Sequence, residues 1–295
     1  MTDAVVPALS DIRYRVMTPA DIPGGLRLSN LARWNQTEAD WRLFLAMDRE
    51  CGRVAETSDG AVIGTVTTAR YGNRFSWVAM VLVDPDYRRR GIGTRLLNEA
   101  LAMRRGDVTM RLDATPAGQP LYEKLGFRSE YALSRMEVTT ARPLVHSPTA
   151  ASLDLVRPMT DGDFNEVCER DRKTFGADRR PLLESLRARA PQYARVMRDG
   201  EGVSGYVFGR SGFRFEHLGP VMASNAAAAA TLVASCLHPN RPFILDVPHH
   251  SPDWSAWVRE AGFTEQRPFV RMYLGDNRYP GEPNALFAVT GPEFG

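Results

Sequence analysis

Val81-Leu82-Val83-Asp84-Pro85-Asp86-Tyr87-Arg88-Arg89-Arg90-Gly91-Ile92-Gly93-Thr94 carries an apolar run into a basic turn with two glycines and out into a helix-like segment. A strand that delivers such a turn to a helix start makes a seat for phosphate oxygens, because the first helical amides have no carbonyl partner and point outward. Gly91 and Gly93 carry no Cβ and let an anion approach the backbone. Arg88, Arg89 and Arg90 add positive charge, and one or two of them can face the same phosphates. A basic turn that only closes a strand-helix junction has the same local sequence, so the surroundings must decide. No Lys-Ser or Lys-Thr follows the glycines, which disfavours a nucleoside-triphosphate loop, and no βαβ unit with an acidic residue for a ribose surrounds them, which disfavours a nicotinamide site.

Around this turn the pattern is mixed. Ile12 to Met17 reads as a strand, with Thr18 capping a helix that tolerates Pro19 in its first turn. Thr37 to Met47 places Trp41, Phe44 and Leu45 on one helical side. Cys51 to Glu56, Ala61 to Thr68 and Ser76 to Val83 read as strands joined by the turns at Asp59-Gly60 and Tyr71-Gly72-Asn73. Gly91 to Met103 is a helix whose end is marked by Arg104-Arg105-Gly106. Val108 to Leu112, a helix over Ala117 to Leu125 and a strand over Tyr131 to Val138 complete the unit. Hairpins at its centre separate it from the regular alternation of a doubly wound fold.

The chain then repeats itself. Arg15-Val16-Met17-Thr18-Pro19-Ala20-Asp21 is echoed by Arg157-Pro158-Met159-Thr160-Asp161-Gly162-Asp163, and Arg111-Leu112-Asp113 by Ile244-Leu245-Asp246. Leu121-Tyr122-Glu123-Lys124-Leu125-Gly126-Phe127 is echoed by Trp257-Val258-Arg259-Glu260-Ala261-Gly262-Phe263, and Arg135-Met136 by Arg271-Met272. Ordered echoes at a nearly constant offset indicate two copies of one α/β unit, each a central mixed, largely antiparallel sheet flanked by helices. The expected division is a first domain over 1–140, a linker over 141–152, a second domain over 153–275 and a C-terminal packing segment over 276–295. In the second copy the arginines and glycines give way to His217-Leu218-Gly219-Pro220-Val221-Met222, so the scaffold is kept and the phosphate seat lost.

The whole chain agrees with a two-domain globular protein: 295 residues, 43% hydrophobic and 24% charged. A formal charge of +2 gives no basis for a nucleic-acid partner. Cys51, Cys168 and Cys236 lie far apart and signal neither a disulfide framework nor a metal site. Met1 to Ser10 lacks the basic start and long apolar core of a secretion signal, and no run approaches the roughly 18 apolar residues of a membrane span. A cytoplasmic location, without membrane contact, is the expectation.

The turn, the strand before it and Pro120-Leu121-Tyr122-Glu123-Lys124-Leu125-Gly126-Phe127 after it together resemble the GNAT superfamily of N-acetyltransferases, whose acetyl-coenzyme A loop reads Arg or Gln, two residues, Gly, one residue, then Gly or Ala. The resemblance covers about Ile12 to Val138 and, in degenerate form, continues to about Leu274. It implies acetyl-CoA as cosubstrate, with the Val81-Leu82-Val83 backbone bound to pantetheine and Arg88, Arg89, Arg90, Gly91, Ile92, Gly93 and Thr94 around the pyrophosphate. It also implies Tyr122 as the acid that protonates the departing thiolate; packing against Phe127, or only binding the cofactor sulfur, is the plainer role.

All five histidines lie outside the first copy, so the base is unassigned: a water relayed to Asp113, or a carboxylate of the Glu38 and Asp40 region. Asp113 equally suits a cap of the next turn, and its recurrence as Asp246 favours that structural role. Cys51 reads as a packed residue rather than a nucleophile. Trp34, Asn35, Trp41 and Trp77 are candidates to line an acceptor pocket, or to pack in the core. The final segment from Tyr279 carries apolar anchors and reads as an inert tail tied down by packing, with cover over a cleft as the alternative. The expected reaction is direct attack of a small-molecule primary amine on acetyl-CoA by a monomer or homodimer. The alternatives are another acyl-CoA, a protein amine, or a non-catalytic coenzyme A-binding module.

Overall fold

A computed structural model of the chain describes residues 11–103, 109–140, 153–200 and 202–295. The expected linker, the helix end at Arg104-Arg105-Gly106 and the first ten residues lie outside them. The first half runs β1 (Arg13–Val16), α1 (Ile22–Leu31), α2 (Glu38–Met47), β2 (Gly52–Glu56), β3 (Val62–Tyr71), β4 (Phe75–Val83), α3 (Ile92–Ala102), β5 (Thr109–Ala114), α4 (Gln119–Lys124) and β6 (Arg128–Val138). The second runs β7 (Val156–Pro158), α5 (Asp161–Phe175), α6 (Arg180–Arg189), β8 (Arg195–Asp199), β9 (Gly202–Ser211), β10 (Glu216–Ala223), α7 (Ala226–Ala234), β11 (Phe243–Pro248), α8 (Pro252–Glu260) and β12 (Thr264–Leu274). A last short strand, β13 (Leu286–Ala288), follows.

The echoed sequences make the same contacts. Arg15 donates to both Asp21 oxygens at 2.7 Å, and Arg157 does the same to Asp163 at 2.7 Å. In each copy the aspartate also accepts the backbone N–H of a threonine three residues earlier, Thr18 at 2.7 Å and Thr160 at 2.9 Å. One short stretch thus joins the first strand to the first helix in both halves, because a carboxylate at the third helical position satisfies a donor that the helix start leaves orphaned.

The two halves do not form two separate sheets. Among the described residues one sheet runs β1-β2-β3-β4-β5-β12-β6-β11-β10-β9-β8-β7, with β13 paired to β10 off this path. The last strands have changed places. β12 lies between β5 and β6, and β6 lies between β12 and β11. All neighbours are antiparallel except β4-β5 and β10-β11, which are parallel. Each half on its own therefore has its last strand separated from its fifth by a strand of the other. The central pairing β6-β12 extends from Thr264 opposite Glu137 to Tyr273 opposite Arg128.

Apolar side chains of α1 and α2 share one core with those of α5 and α6, including the fully buried Trp41, Phe44, Leu182 and Leu183. On the opposite face α3 presents Ile92, Leu96, Leu97 and Ala100 to β2, β3, β4 and β5. In the second half α7 and α8 bury Leu232, Val233, Trp254 and Val258 in the same manner. Cys51 is buried, and desolvation pushes its thiol up to about 12, which suits packing and not nucleophilic attack. No helix among the described residues is long and apolar enough to cross a membrane.

Candidate active site

β4 and β5 pair only over Phe75–Trp77 and Thr109–Arg111, and then diverge. The cause lies in β4. Its register against β3 slips between Thr65 and Thr67, and Met80 adopts a positive φ of 52°, the signature of a bulge that bends one strand away from its neighbour. Thr65 Oγ1 donates to the Met80 carbonyl at 2.7 Å and holds the distortion in place. Among the described residues the β4 edge facing β5 has no strand partner from Val78 to Val83, so its backbone groups line an open cleft.

The turn that follows is built to expose amides. Arg27 reaches Asp84 at 2.6 Å and the Val62 carbonyl at 2.9 Å, fixing the exit from β4. Arg89 and Gly91 both take positive φ, 61° and 79°, so the backbone reverses twice before α3 begins at Ile92. A Cβ at Gly91 would meet nothing within 4 Å; the glycine is required by its left-handed backbone and by whatever must approach it. Arg88 donates to the Val83 carbonyl at 3.2 Å, and Arg90 lies 5.7 Å from the centre of the Tyr87 ring. Arg88 and Arg89 are exposed, Gly93 and Thr94 half-buried, and Ile92 anchors the helix start in the core. The helix N-terminus and the open space at Gly91 follow directly in sequence on the unpaired β4 edge.

The cleft at the β4-β5 divergence is lined by Val78, Met80, Val81, Leu112 and Tyr122 on the first-half side. Tyr122 stands edge-on to Phe127, with ring centres 5.8 Å apart. Its packing against Phe127 and its place in the cleft are therefore compatible. Burial pushes the phenol up to about 12, so it keeps its proton at neutral pH and can give it to a thiolate.

The expected acceptor residues scatter. Trp34 lines the cleft. Asn35 instead clamps the β9-β10 hairpin of the second half: it donates to the Phe215 carbonyl at 3.0 Å and accepts from the Arg214 and Phe215 amides at 2.9 and 3.0 Å. Trp77 is fully buried, donates to the Pro292 carbonyl at 2.8 Å and lies under the Arg271 guanidinium. Trp41 is core.

Asp113 borders the cleft, but both its oxygens are held by Arg271 at 2.9 Å, so it caps no turn. Burial nevertheless raises the Asp113 carboxyl above its ordinary value. Asp40 accepts from Arg189 at 3.0 Å and from its own helix start, while Glu38 pairs on the surface with Arg42. Neither Asp40 nor Glu38 lines the cleft.

Three further cleft residues carry no local sequence signal. Gln36, Arg267 and Glu293 enter from a loop of the first half, from β12 and from the C-terminal segment. Glu293 is 3% exposed; one oxygen is bound by Arg210, and Oε2 has no hydrogen-bond partner among the described residues. Gln36 Oε1 is likewise buried without a partner. Arg210 also meets His217 Nδ1 at 3.1 Å, and His217 Nε2 lies 2.9 Å from Asp246. Asp246 in turn accepts twice from Arg135, another cleft residue, at 2.8 Å. Burial holds His217 below its ordinary value, so it is neutral, with Nδ1 accepting and Nε2 carrying the proton.

The C-terminal segment is not an inert tail. In the second half β10 and β11 also pair only at one end, Glu216–Leu218 with Phe243–Leu245, and then diverge. Here the gap is filled by the chain itself. β13 pairs with β10 at Val221 and Met222, and Val289 donates to the Asp246 carbonyl at 3.0 Å. Trp254 clamps this plug by donating to the Phe287 carbonyl at 2.7 Å. Gly219 is required there, since a Cβ would collide with the Val289 carbonyl oxygen. Beyond the plug the chain turns at Gly291 and delivers Pro292, Glu293, Phe294 and Gly295 to the first half. Phe294 stacks on Phe44 at 4.6 Å, and Tyr71 donates to its carbonyl at 2.8 Å.

Comparisons with known proteins bear on both halves. A family model described as Acetyltransferase (GNAT) domain matches residues 167–288, and a second of the same description matches residues 48–129. The chain is 24% identical over 277 residues to YitH of Bacillus subtilis (strain 168), an uncharacterized N-acetyltransferase, covering 93% of this chain and 95% of that one. It is 27% identical over 267 residues to the holothin acyltransferase of Pseudoalteromonas sp. (strain SANK 73390), covering 89% and 87%. Among solved structures, a putative acetyltransferase from Pyrococcus horikoshii superposes with a TM-score of 0.79 at 22% identity, covering 99% and 98%. That likeness is one of fold.

Proposed function

Since the chain belongs to the GNAT acetyltransferase superfamily, with one such domain in each half, we propose that it transfers acetyl from acetyl-CoA to a primary amine of a small molecule by direct attack. Domains of this family bind acyl-coenzyme A. Acetyl as the acyl group and a small molecule as the acceptor are our reading. The observation that carries it is the unpaired β4 edge from Val78 to Val83, which leads from the Met80 bulge to the glycine turn with Tyr122 in the same cleft.

Val81 and Val83 would hold the pantetheine as an added strand, and the amides from Arg89 to Thr94 the pyrophosphate. Acetyl-CoA is a substrate here and supplies the thioester. The backbone N–H groups at the Met80 bulge stabilise the oxyanion formed on attack, an effect strengthened in a water-poor cleft. Tyr122 gives its proton to the departing thiolate. A concave cleft walled by both halves suits a small acceptor better than a folded protein surface. The holothin acyltransferase relative is compatible with a small-molecule acceptor.

The test is incubation with acetyl-CoA and a diverse amine library, reading free thiol and product mass. Coenzyme A binding without any product mass would favour a binding module. A propionyl or longer acyl-CoA turned over faster than acetyl-CoA would correct the acyl group.

A further inference from the structure

We propose that Glu293 receives the acceptor ammonium group and takes the proton it must lose, so that the second half completes the active site of the first through the C-terminal segment. The proposal rests on the acyl-transfer reading above.

The two carboxylates that border the cleft differ in what they have left to offer. Asp113 has both oxygens engaged by Arg271. Glu293 has one oxygen engaged by Arg210 and Oε2 buried with no partner among the described residues. An unpartnered buried carboxylate oxygen is destabilising, and a ligand donor relieves it. Gln36, whose Oε1 is a second buried acceptor without a partner among the described residues, lines the same cleft. Two oxygens waiting for donors suit an ammonium, which carries three N–H groups and no acceptor.

The carboxylate is also held rigidly. Trp77 and Tyr71 donate to the carbonyls on either side of it, at Pro292 and Phe294, both at 2.8 Å. Arg210 is itself braced by His217 and is 3.9 Å from Asp40. Trp34, Met80 and Phe269 add apolar wall beside the Arg135 and Arg267 side chains, so the acceptor amine carries an apolar portion.

The ammonium gives one proton to Glu293 Oε2, and its freed lone pair forms the C–N bond at the thioester carbonyl. The C–S bond breaks, and the thiolate takes the Tyr122 proton. The phenolate recovers a proton from the nitrogen as that nitrogen becomes an amide, and the Glu293 proton leaves to water.

Benzylammonium and benzyl alcohol serve as matched probes, titrated by calorimetry into full-length protein loaded with coenzyme A. The wild type should bind benzylammonium about tenfold or more tighter than benzyl alcohol, and Glu293→Gln should erase that preference. Coenzyme A affinity in Glu293→Gln should stay within about twofold of wild type, which separates this proposal from the cofactor reading. Glu293→Asp, which keeps the charge but withdraws it by one methylene, should fold and retain part of the preference. Absence of any preference in the wild type, or its survival in Glu293→Gln, overturns the proposal. Failure of coenzyme A to bind overturns the parent reading instead.

Discussion

Asp113 on β5 and Arg271 on β12 form a two-pronged ion pair, both bonds at 2.9 Å, and the repeat places its mirror image between Asp246 on β11 and Arg135 on β6. Each half supplies an aspartate at the end of its fifth sheet strand and an arginine on its last. Because the last strands have exchanged places, every aspartate is neutralised by the arginine of the opposite copy. The recurrence of Asp113 as Asp246 is thus structural, but its reason is a lock between halves and not a local cap.

Breaking one pair leaves a buried charge alone. Asp113→Ala should lower unfolding free energy by about 3–5 kcal/mol, whereas Asp113→Leu with Arg271→Leu should cost much less. Urea unfolding of the three proteins measures this. Similar losses in single and double variants would mean that the pair contributes packing and not charge compensation.

The plug at β13 leaves the second half without a cleft for a pantetheine arm. Calorimetry should therefore give one coenzyme A per chain, and Gly91→Trp should reduce it to none. If Gly91→Trp still bound one equivalent, the second half would hold a seat of its own.

Tyr122→Phe should leave coenzyme A affinity unchanged and slow acetyl transfer about 100-fold, the scale of a lost general acid. The ring still packs on Phe127, so the fold is preserved. Full turnover in this variant would assign the thiolate proton to another donor.

His217 gives stability a defined pH dependence. Burial holds its folded value below the ordinary one, while the unfolded chain titrates at about 6.5. Below that pH the unfolded chain binds a proton that the folded chain refuses, so stability is full above about 6.5 and falls as pH drops beneath it, by up to about 1.4 kcal/mol per pH unit. Melting at pH 7.5 and 5.5 should show the loss, and His217→Gln should reduce it. Equal losses in both proteins would place the titrating group elsewhere. Asp163, whose carboxyl is lowered chiefly by Arg157, acts only in more acid solution, where its stabilising share disappears as pH falls through its folded value.

Much of the first half was legible because its signals are local. The helix start at Thr18 and Asp21, the Gly91 turn and the short helix bearing Tyr122 each depend on residues within a few positions of one another, where backbone preference and helix capping operate. The internal repeat was legible for the same reason, since each local device was written twice.

Trp77, Asn35 and Glu293 were not legible. An aromatic residue on an alternating strand carries the same pattern whether its indole faces a pocket or, as here, donates to Pro292 far along the chain. Nothing near Glu293 marks it as more than one charge in an apolar terminus.

By itself the sequence determined that two α/β copies exist, that only the first keeps a phosphate-type turn, and that Tyr122 stands after it. Only the tertiary structure decided that β6 and β12 exchange neighbours, that β13 fills the second cleft and that Glu293 enters the first. Both last strands have ladder groups that either copy could satisfy, so their order in the sheet is settled by the packed whole, through long-range pairings that no local periodicity encodes.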